Sequence, residues 1–491
     1  MPHWLLLVAA WSRSVVWMVL PLMLVACTSY RQQPLPTAAV DDIVAPPTWP
    51  ELLVRVADLH HPRLPATTID PAGPFTPAQL AVMAVVMNPG LRARRAERSL
   101  ADAQVLQAGI LPNPTLALGA DLAVSSPESR GSSLGVGWDF TGLITRGAKR
   151  ASAQAHAEQV ALDIAWGEWL IAASTTQAAV RLAGAEQRLA VLHGLVLALI
   201  VQRDLLVAGE AAGARTRFET HTAALALGDV ERQVLEGDGI CTVLRQQLNR
   251  LLGLPPSQLL AVAVPAWPTT CPVPASMVAE LPQRRLDLIA LRAGYDSQEE
   301  ALRVAVLGQF PRISFDLVHA TDTGKVRTLT LGASIDLPLF DRNQGAIASE
   351  TATRERLFAE YGERLFIARA DLAEAIATAE SLERRIAHND QMLATLSDSL
   401  AQVHQAATDH LIDAPTAAAL EIDALQRRLD SLDLRQQLAE NRIAIELAAG
   451  GLLGETSVGA APTTARAPIP TRAPMTTPVT TPTALPTKER P

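Results

Sequence analysis

The sequence predicts a mainly helical protein with a small β part, in which a unit of long antiparallel helical hairpins and short strands occurs twice. Three observations support this fold class. Residues 197 positions apart repeat each other, apolar residues follow a heptad pattern over very long stretches, and four short segments alternate between apolar and small or polar residues. The chain has 491 residues, of which 48% are hydrophobic and 4% aromatic, so a wholly disordered chain is excluded.

The first 26 residues have the pattern of an export signal. Arg13 precedes a mainly apolar run of twelve residues that ends at Ala26, and Cys27 follows directly. Such a run is too short to cross about 30 Å of hydrocarbon as a helix, but it suits the core of a signal peptide. Leu24 to Cys27 resembles a bacterial lipobox. We therefore expect residues 1–26 to be a lipoprotein signal peptide and Cys27 to carry the lipid.

The body of the chain contains an internal duplication. When the chain is shifted by 197 residues, Ala108 falls on Ala305 and Pro114 falls on Pro311. The register continues over about fifty residues without a gap, which chance rarely achieves. Each copy has the pattern of a helix, two short strands, a very long helix, a break and another helix. We infer a duplicated unit rather than an array of short repeats.

Shifts in composition give the expected domain boundaries. Pro-rich stretches flank and separate the two copies, and Thr, Pro and Ala dominate the end of the chain. We expect an N-terminal periplasmic segment at residues 27–76, a first repeat at 77–253, a linker at 254–280, a second repeat at 281–454 and a disordered tail at 455–491.

Four short segments have the two-residue period of strands with one apolar face. Two lie around Leu116 to Leu122 and Leu134 to Phe140, and two lie around Ile313 to Leu317 and Leu329 to Leu337. A single strand of this kind most often belongs to a soluble sheet with one buried face. Strands of about ten residues also have the length of tilted membrane strands. Because four strands cannot close a barrel, a membrane barrel requires several chains to share one wall.

The long helices carry a heptad pattern. Apolar residues at a spacing of three and four run from Leu365 to Val403, and shorter stripes occupy Leu182 to Leu206 and Ile422 to Leu447. A helix from about Ala148 to Leu206 would reach on the order of 90 Å, more than a compact domain needs. Breaks near Gly209 to Gly213 and Asp413 to Pro415 let each helix turn back, which gives two antiparallel hairpins per chain. An ordinary coiled coil is the alternative interpretation of these stripes.

Two local motifs add a resemblance to a known family. They are Asn88-Pro89-Gly90-Leu91-Arg92-Ala93 and the segment from Gln107 to Pro114. Together with the lipobox, the duplication, the strands and the hairpins, they resemble the TolC-like outer-membrane efflux proteins over about residues 75 to 454. Within this family the motifs are most similar to the heavy-metal cation efflux branch. The resemblance implies a homotrimer whose chains each give four transmembrane strands to a twelve-stranded β-barrel, continued into the periplasm by an α-barrel of helices.

The resemblance also implies a function and partners. The chain would be the outer-membrane channel of a tripartite efflux pump, a passive exit duct for substrates, with heavy-metal cations favoured by the branch. It would contact outer-membrane lipid through its strands and anchor, and dock onto a periplasmic adaptor and an inner-membrane RND-type pump through its hairpin tips. Two alternatives remain open: a duct of the same fold for drugs or other small molecules, and a lipid-anchored periplasmic coiled-coil spacer or adaptor.

Four carboxylates are candidates for the pore lining. If the small and polar strand faces line the barrel, Asp121, Asp139, Asp316 and Asp336 project into the lumen. Three chains would then form rings of negative charge, which favour cations. The alternative is that these aspartates are only solvated residues of a polar face.

The hairpin tips give a second set of candidates. The family's periplasmic tips correspond here to Gly209 and Gly213 and to Ala414 and Pro415. The carboxylates that narrow the tunnel near the tips in the family match Glu421 and Asp423 by position; these two residues lie on the last helix. The second tip departs from the family pattern, because Ala414-Pro415-Thr416 occupies the place where the family usually has a glycine and a small hydroxyl residue.

Other classes of function have little support. Acidic residues outnumber Lys and Arg by 50 to 42 and no basic block occurs, so nucleic acid is not an expected partner. We expect no cofactor, because the adjacent His60 and His61 lack a third ligand nearby. No acid, base and nucleophile set points to an enzyme. Cys241 and Cys271 are left as either a disulfide pair or free thiols.

Overall fold

The structure is a computed structural model that describes residues 30–35, 45–122, 130–409 and 411–453. The expected signal peptide, Cys27 and the tail at 455–491 lie outside the described residues, as does the turn at 123–129. Two units are distinguished, residues 1–46 and residues 47–491. The described residues of the first unit form no helix or strand, and all elements given below belong to the second unit.

The described part of the second unit contains nine helices and four strands. In the first half these are α1 (Trp49–Ala57), α2 (Pro77–Met87), α3 (Pro89–Gly109), β1 (Thr115–Leu122), β2 (Arg130–Asp139), α4 (Thr141–Ala211) and α5 (Arg217–Leu252). In the second half they are α6 (Met277–Arg284), α7 (Leu286–Leu307), β3 (Ile313–Thr321), β4 (Arg327–Ile335), α8 (Gln344–Thr408) and α9 (Ala414–Ala449).

The two halves repeat each other residue for residue at their ends. Helices α5 and α9 each contain 36 residues, and both their first and their last residues are 197 positions apart. Each ends at a glycine in the left-handed conformation, Gly253 with φ 70° and Gly450 with φ 73°. The prediction of a mainly helical, duplicated fold with a small antiparallel sheet is confirmed.

Local chemistry explains where the helices begin. Thr76 caps α2 and Thr216 caps α5, and in both cases a side-chain oxygen of the residue three positions later accepts a hydrogen bond from the backbone N–H of the threonine. Asn88 caps α3 by accepting hydrogen bonds from the backbone N–H groups of Gly90 and Leu91. Each cap satisfies donors that the first helical turn leaves without a partner.

The longest helix is α4, with 71 residues, which corresponds to a length of about 105 Å. It packs against α5 in its own hairpin and against α7 and α9 of the second half. It contains an 18-residue window with a mean hydropathy of 1.8, which meets the length and composition of a membrane span, and 22% of that window is buried.

The heptad stripe predicted on α8 forms the core of the second hairpin. Its predicted members from Ala368 to Ile386 are all buried, and they pack with Leu438 and Ile445 of α9. Half of them are alanines, so the two helix backbones can approach closely. The buried members are Ala368, Leu372, Ala375, Ala379, Leu382 and Ile386.

The two cysteines lie in different cores. Cys241 of α5 packs in the core of the first half, and Cys271 of the linker packs in the core of the second half. Both thiols are free and buried, and burial raises the pKa of each. Of the two alternatives left open by the sequence, the structure has free thiols.

A buried ion pair joins the second half to the first. The guanidinium of Arg285 donates two hydrogen bonds to the carboxylate of Asp287, at 3.0 and 2.8 Å, and a third to the backbone oxygen of Ala448. It also lies 4.9 Å from the ring centroid of Trp166 on α4. Because each polar group has a partner, the pair can be buried without the full cost of desolvation.

His61 fixes the segment between α1 and α2 to the middle of α4. Its Nε2 donates to the backbone oxygen of Ala165 at 3.0 Å, and its Nδ1 accepts from the backbone N–H of Arg63 at 3.1 Å. This pattern requires the neutral ring. Burial lowers the pKa of His61 below its ordinary value; Arg63 and Arg95 act in the same direction, whereas the Ala165 carbonyl and Glu168 raise it.

Replacement of Gly450 tests the steric constraint at the end of α9. In Gly450→Ala the new Cβ would lie 2.7 Å from the Cα of Arg285, and the residue would have to remain in the left-handed conformation. Gly213→Ala is the matched control, because its φ is also 73° but a Cβ there meets no atom within 4 Å. We expect Gly450→Ala to lower the free energy of unfolding by about 1–3 kcal/mol more than the control, as measured by denaturant titration. Equal losses would contradict this steric account.

Replacement of His61 tests the neutral ring. Because the folded pKa is below the unfolded value of about 6.5, the unfolded chain takes up the proton first, and stability present above that pH is lost as the pH falls toward the folded pKa. His61→Gln keeps one donor and one acceptor without titrating. We expect its melting temperature to fall less than that of the wild type between pH 7.5 and pH 5.5, as followed by circular dichroism. The exposed neighbour supplies the control, His60→Gln, which should keep the wild-type pH dependence.

Candidate functional site

The four strands form one antiparallel sheet in the order β1-β2-β3-β4. The pairing of β2 with β3 joins the two repeats, and the register sets Val136 opposite Leu317 and Trp138 opposite Phe315. Since side chains alternate between the faces of a strand, this register gathers the apolar residues of all four strands on one face.

None of the residues that the structure describes covers the apolar face of the sheet. Leu118 is 76% exposed, Leu331 is 78% exposed, and the central residues Val136 and Leu317 are each 48% exposed. An uncovered patch of this kind marks contact with a membrane or with another protein. The exposed large members of the face are Leu116, Leu118, Leu134, Val136, Phe315, Leu317, Leu329, Leu331 and Ile335.

The opposite face is lined by small and polar residues. Asp316 lies opposite Gly137 on one side and opposite Gly332 on the other. A Cβ at Gly137 would collide with the Asp316 carboxylate and lie 2.8 Å from Oγ1 of Thr115. Gly137 therefore leaves room for the carboxylate of Asp316 on this face.

The four predicted pore-lining aspartates share this face but lie at two levels. Asp139, Asp316 and Asp336 are near the helical end of the sheet, whereas Asp121 is at the opposite end, paired with Gly131. Asp139 has a second role, because its Oδ1 accepts from the backbone N–H of Thr141 at 2.8 Å at the start of α4. The register staggers the three candidates at the helical end: Asp139 is two residues nearer the helices than Asp316, and Asp336 is two residues nearer again, just after β4.

The first hairpin tip is a tight turn between α4 and α5. Gly213 has a left-handed conformation, and the backbone oxygen of Gly209 accepts from the N–H groups of Ala214 and Arg215. Glu219 accepts hydrogen bonds from the backbone and hydroxyl of Thr216, and these bonds, the backbone bond foremost, lower the pKa of Glu219. Gly213 therefore lies in the turn, and Gly209 lies in the last turn of α4, where its backbone oxygen closes the tip.

The second tip is built differently. Asp413 precedes α9, which begins at Ala414 with Pro415 in its first turn, and the backbone oxygen of Asp413 accepts from Thr416 N–H at 3.2 Å. A proline suits the first helical turn because its missing N–H would have no partner there. The departure from the family pattern at Ala414-Pro415-Thr416 thus still gives a regular helix start. Glu421 and Asp423 are exposed on α9, on either side of the buried Ile422.

The two tips are tied together by an ion pair. Arg215 of the first tip pairs with Asp413 of the second, and it also lies 3.3 Å from Glu219. The side chains of Arg215 and Asp413 are 31% and 44% exposed, so salt can screen this contact. Sequence analysis did not identify Arg215. The only hint in the sequence was that Arg215 lies between a turn glycine and a capping threonine. Its partner Asp413 is 198 residues away, so the pair itself could not be identified from local sequence.

Within the ranges that the structure describes, no three His, Cys, Asp or Glu side chains are grouped to hold a metal ion. The adjacent His60 and His61 make different contacts. His60 hydrogen-bonds the backbone oxygen of Asp58, whereas His61 is buried against α4.

Comparisons with known proteins agree with this architecture. No family model matches the chain. It is 25% identical over 413 residues to the cobalt-zinc-cadmium resistance protein CzcC of Cupriavidus metallidurans, which covers 83% of this chain and 93% of that protein. It is 30% identical over 142 residues to the fusaric acid resistance protein FusA of Burkholderia cepacia, which covers 26% of this chain and 27% of that protein.

Among solved structures, the outer-membrane channel OprN has the same fold, with a TM-score of 0.63 at 19% identity, covering 86% of this chain and 98% of that one. The resemblance to TolC-like outer-membrane efflux proteins, and to their heavy-metal branch, is confirmed by these likenesses. The relatives are channel and resistance proteins rather than enzymes.

Proposed function

We propose that this chain is an outer-membrane efflux channel, in which three copies form a passive exit duct for substrates leaving the periplasm or an inner-membrane pump. The observation that carries the proposal is the sheet with one uncovered apolar face and one small, polar face. The likeness in fold to an outer-membrane channel supports the same conclusion.

The number of strands requires several chains. Strands β1 and β4 are the edges of the four-stranded sheet, and a membrane leaves no water to satisfy edge backbone groups. Closure of β4 of one copy on β1 of the next removes both edges. A homotrimer gives a barrel of twelve strands. Side chains fill the interior of an eight-stranded barrel, and porins of sixteen or more strands enclose an open channel, so twelve strands fall between these two cases. Such a barrel has room for a water-filled lumen.

The lumen would attract cations. With the apolar face against lipid, the face that carries Asp316 turns toward the water, and three copies place rings of carboxylates near the junction with the helices. Acidic rings raise the local concentration of cations. The likeness to a cobalt-zinc-cadmium resistance protein favours heavy-metal cations as the substrate.

The same duct could instead carry small organic molecules. The similarity to a fusaric acid resistance protein over about a quarter of the chain is the observation that favours this second candidate. Deletion of the gene followed by titration of metal and drug tolerance distinguishes the two, because each candidate predicts loss of tolerance to its own substrate class.

The hairpin tips are the proposed contact with partners. Phe218 beside the first tip is 80% exposed and Leu411 in the second is 77% exposed, although both are large and apolar. We assign these tips to docking of a periplasmic adaptor and, through it, an inner-membrane RND-type pump. Cys27 would add a lipid anchor to outer-membrane attachment by the barrel. The Arg215–Asp413 pair would hold the tunnel end closed, and the exposed Glu421 and Asp423 would narrow it.

Planar-bilayer recording tests the duct and its charge. We expect the purified protein to form a cation-preferring conductance, and Asp316→Asn to shift the reversal potential in a salt gradient toward lower cation preference. Asp102→Asn, on the exposed surface of α3 outside the sheet, is the charge-matched control and should leave the preference unchanged. Absence of conductance from trimers purified from the outer membrane would favour the lipid-anchored spacer or adaptor instead.

A second recording tests the tip ion pair. Arg215→Gln removes the contact to Asp413, so we expect the open fraction of the channel to rise several-fold in dilute salt and less in concentrated salt, which screens the wild-type pair. Arg203→Gln is the control, because Arg203 pairs with the adjacent Asp204 and cannot tie two hairpins. If both variants gate alike, the pair does not hold the tunnel end.

A further inference from the structure

The apolar face of the sheet changes character at the end remote from the helices. Arg130 is the first residue of β2, His319 is near the end of β3, and Arg327 is the first residue of β4. By alternation, Arg130 shares a face with Leu134, His319 with Leu317, and Arg327 with Leu329. We call these three exposed residues the basic group. It lies on the face assigned to lipid, not on the face assigned to the lumen.

The register places the basic group within four residues along the strands, at the end of the sheet remote from the helices. Thr321 lies opposite Arg327, and His319 lies opposite Leu329, so His319 and Arg327 are diagonal neighbours on adjacent strands, about 7–8 Å apart. On the other side of β3, Ser132 lies opposite Thr321, and Arg130 is two residues beyond Ser132. Arg130 is on β2 and Arg327 is on β4. Because β3 lies between these two strands, their backbones are roughly 10 Å apart across the sheet.

The positive charges of Arg130 and Arg327 are not neutralised by the described residues around them. No ion pair to Arg130, His319 or Arg327 is formed within the ranges that the structure describes. Oδ1 of Asp322, in the β3–β4 turn, accepts from the backbone N–H of Val326, and Asp121 lies on the other face. Lys325 in the same turn adds a further exposed cation at this end.

The helical end of the same face has a different chemistry. Trp138, Phe140 and Phe315 pack ring against ring, with centroids 4.8 and 5.2 Å apart, and Trp138 Nε1 donates to the backbone oxygen of Pro112. Such aromatic groups are typical of a membrane interface.

By the register, Arg327 is six residues and Arg130 is eight residues along the strands from the level of the paired Trp138 and Phe315, and His319 is four. At about 3.3 Å per residue and a 45° tilt, the two arginines lie about 14 and 19 Å in height from the aromatic group, and His319 lies about 9 Å from it. The long arginine side chains can extend from there to the far side of an apolar band.

We propose that the basic group binds the phosphate groups of anionic lipids in the leaflet farther from the helices. The inference rests on the proposed function, which turns this face toward lipid. An arginine beside hydrocarbon is costly unless its head reaches the headgroup layer, and there guanidinium groups bind phosphate through paired hydrogen bonds. Arg327 and His319 would contact one phosphate together, and Arg130 would bind the same or the next headgroup. Three copies would set such a site on each side of the barrel.

Lipid retention by the purified full-length channel tests the site. The protein in detergent is titrated with equal amounts of phosphatidylglycerol and phosphatidylcholine of the same chain length, and bound lipids are counted by native mass spectrometry. We expect the wild type to retain phosphatidylglycerol preferentially, and Arg130→Gln with Arg327→Gln to reduce that preference about tenfold. Arg312→Gln is the control, because Arg312 is exposed at the opposite end of the sheet and its loss should leave the preference unchanged.

Conductance of the same samples separates the outcomes. A double variant that conducts and keeps the wild-type preference for phosphatidylglycerol overturns the lipid site but not the proposed channel function. Absence of both conductance and lipid preference from the wild type overturns the channel and the lipid site together. Inorganic phosphate in excess, at constant ionic strength, distinguishes the source of the anion: persistence of phosphatidylglycerol supports the lipid site, and its complete displacement shows a site for free anions and overturns the assignment to lipid.

Discussion

An apolar sheet face that its own chain leaves uncovered must be covered by something else, and the main features of this protein follow from that requirement. Leu118, Val136, Leu317 and Leu331 form a continuous surface across four strands. Water would meet that surface at a large cost in free energy. Lipid removes the cost, but lipid also forbids unpaired strand edges. Covering the apolar face with lipid therefore also requires that the strands close into a ring, in which every edge is paired.

The helices extend the same arrangement away from the sheet. Each strand pair is followed by a helix of more than sixty residues, so the sheet and the hairpins are parts of one continuous wall. Alanines along the α8 stripe let neighbouring helices pack closely, and the buried Arg285–Asp287 pair fixes the start of α7 to α9 and α4. Long walls need such fixed points because no single compact core holds them together.

Much of this architecture could be predicted from sequence, because its helices and strands follow short repeating patterns of apolar residues. The heptad stripe from Ala368 to Ile386 is local, and so is the alternation of Leu134 and Val136 with Gly135 and Gly137. The duplication was also accessible, since 197 positions separate the paired ends of α5 and α9. These signals depend on neighbours in the chain or on self-similarity, and neither requires knowledge of tertiary contacts.

Contacts between distant segments were not predictable in the same way. The Arg215–Asp413 pair, the Asp316 carboxylate beside Gly137 and the hydrogen bond from His61 to Ala165 each join residues far apart in sequence. Many arginines and aspartates of this chain could have formed such pairs, and periodicity does not choose among them. The gate candidates Glu421 and Asp423 remain predictions, because their exposure on α9 is compatible with more than one role.

The sheet order also has a genetic consequence. Because β1 and β4 are different edges of the same sheet, every subunit of the proposed trimer would meet two neighbours through two different surfaces, and a ring built head to tail could not exclude a faulty member. In cells that make equal amounts of sound and defective chains, only about one trimer in eight would contain sound copies alone. Alleles that assemble but fail to conduct would therefore be dominant over the wild type.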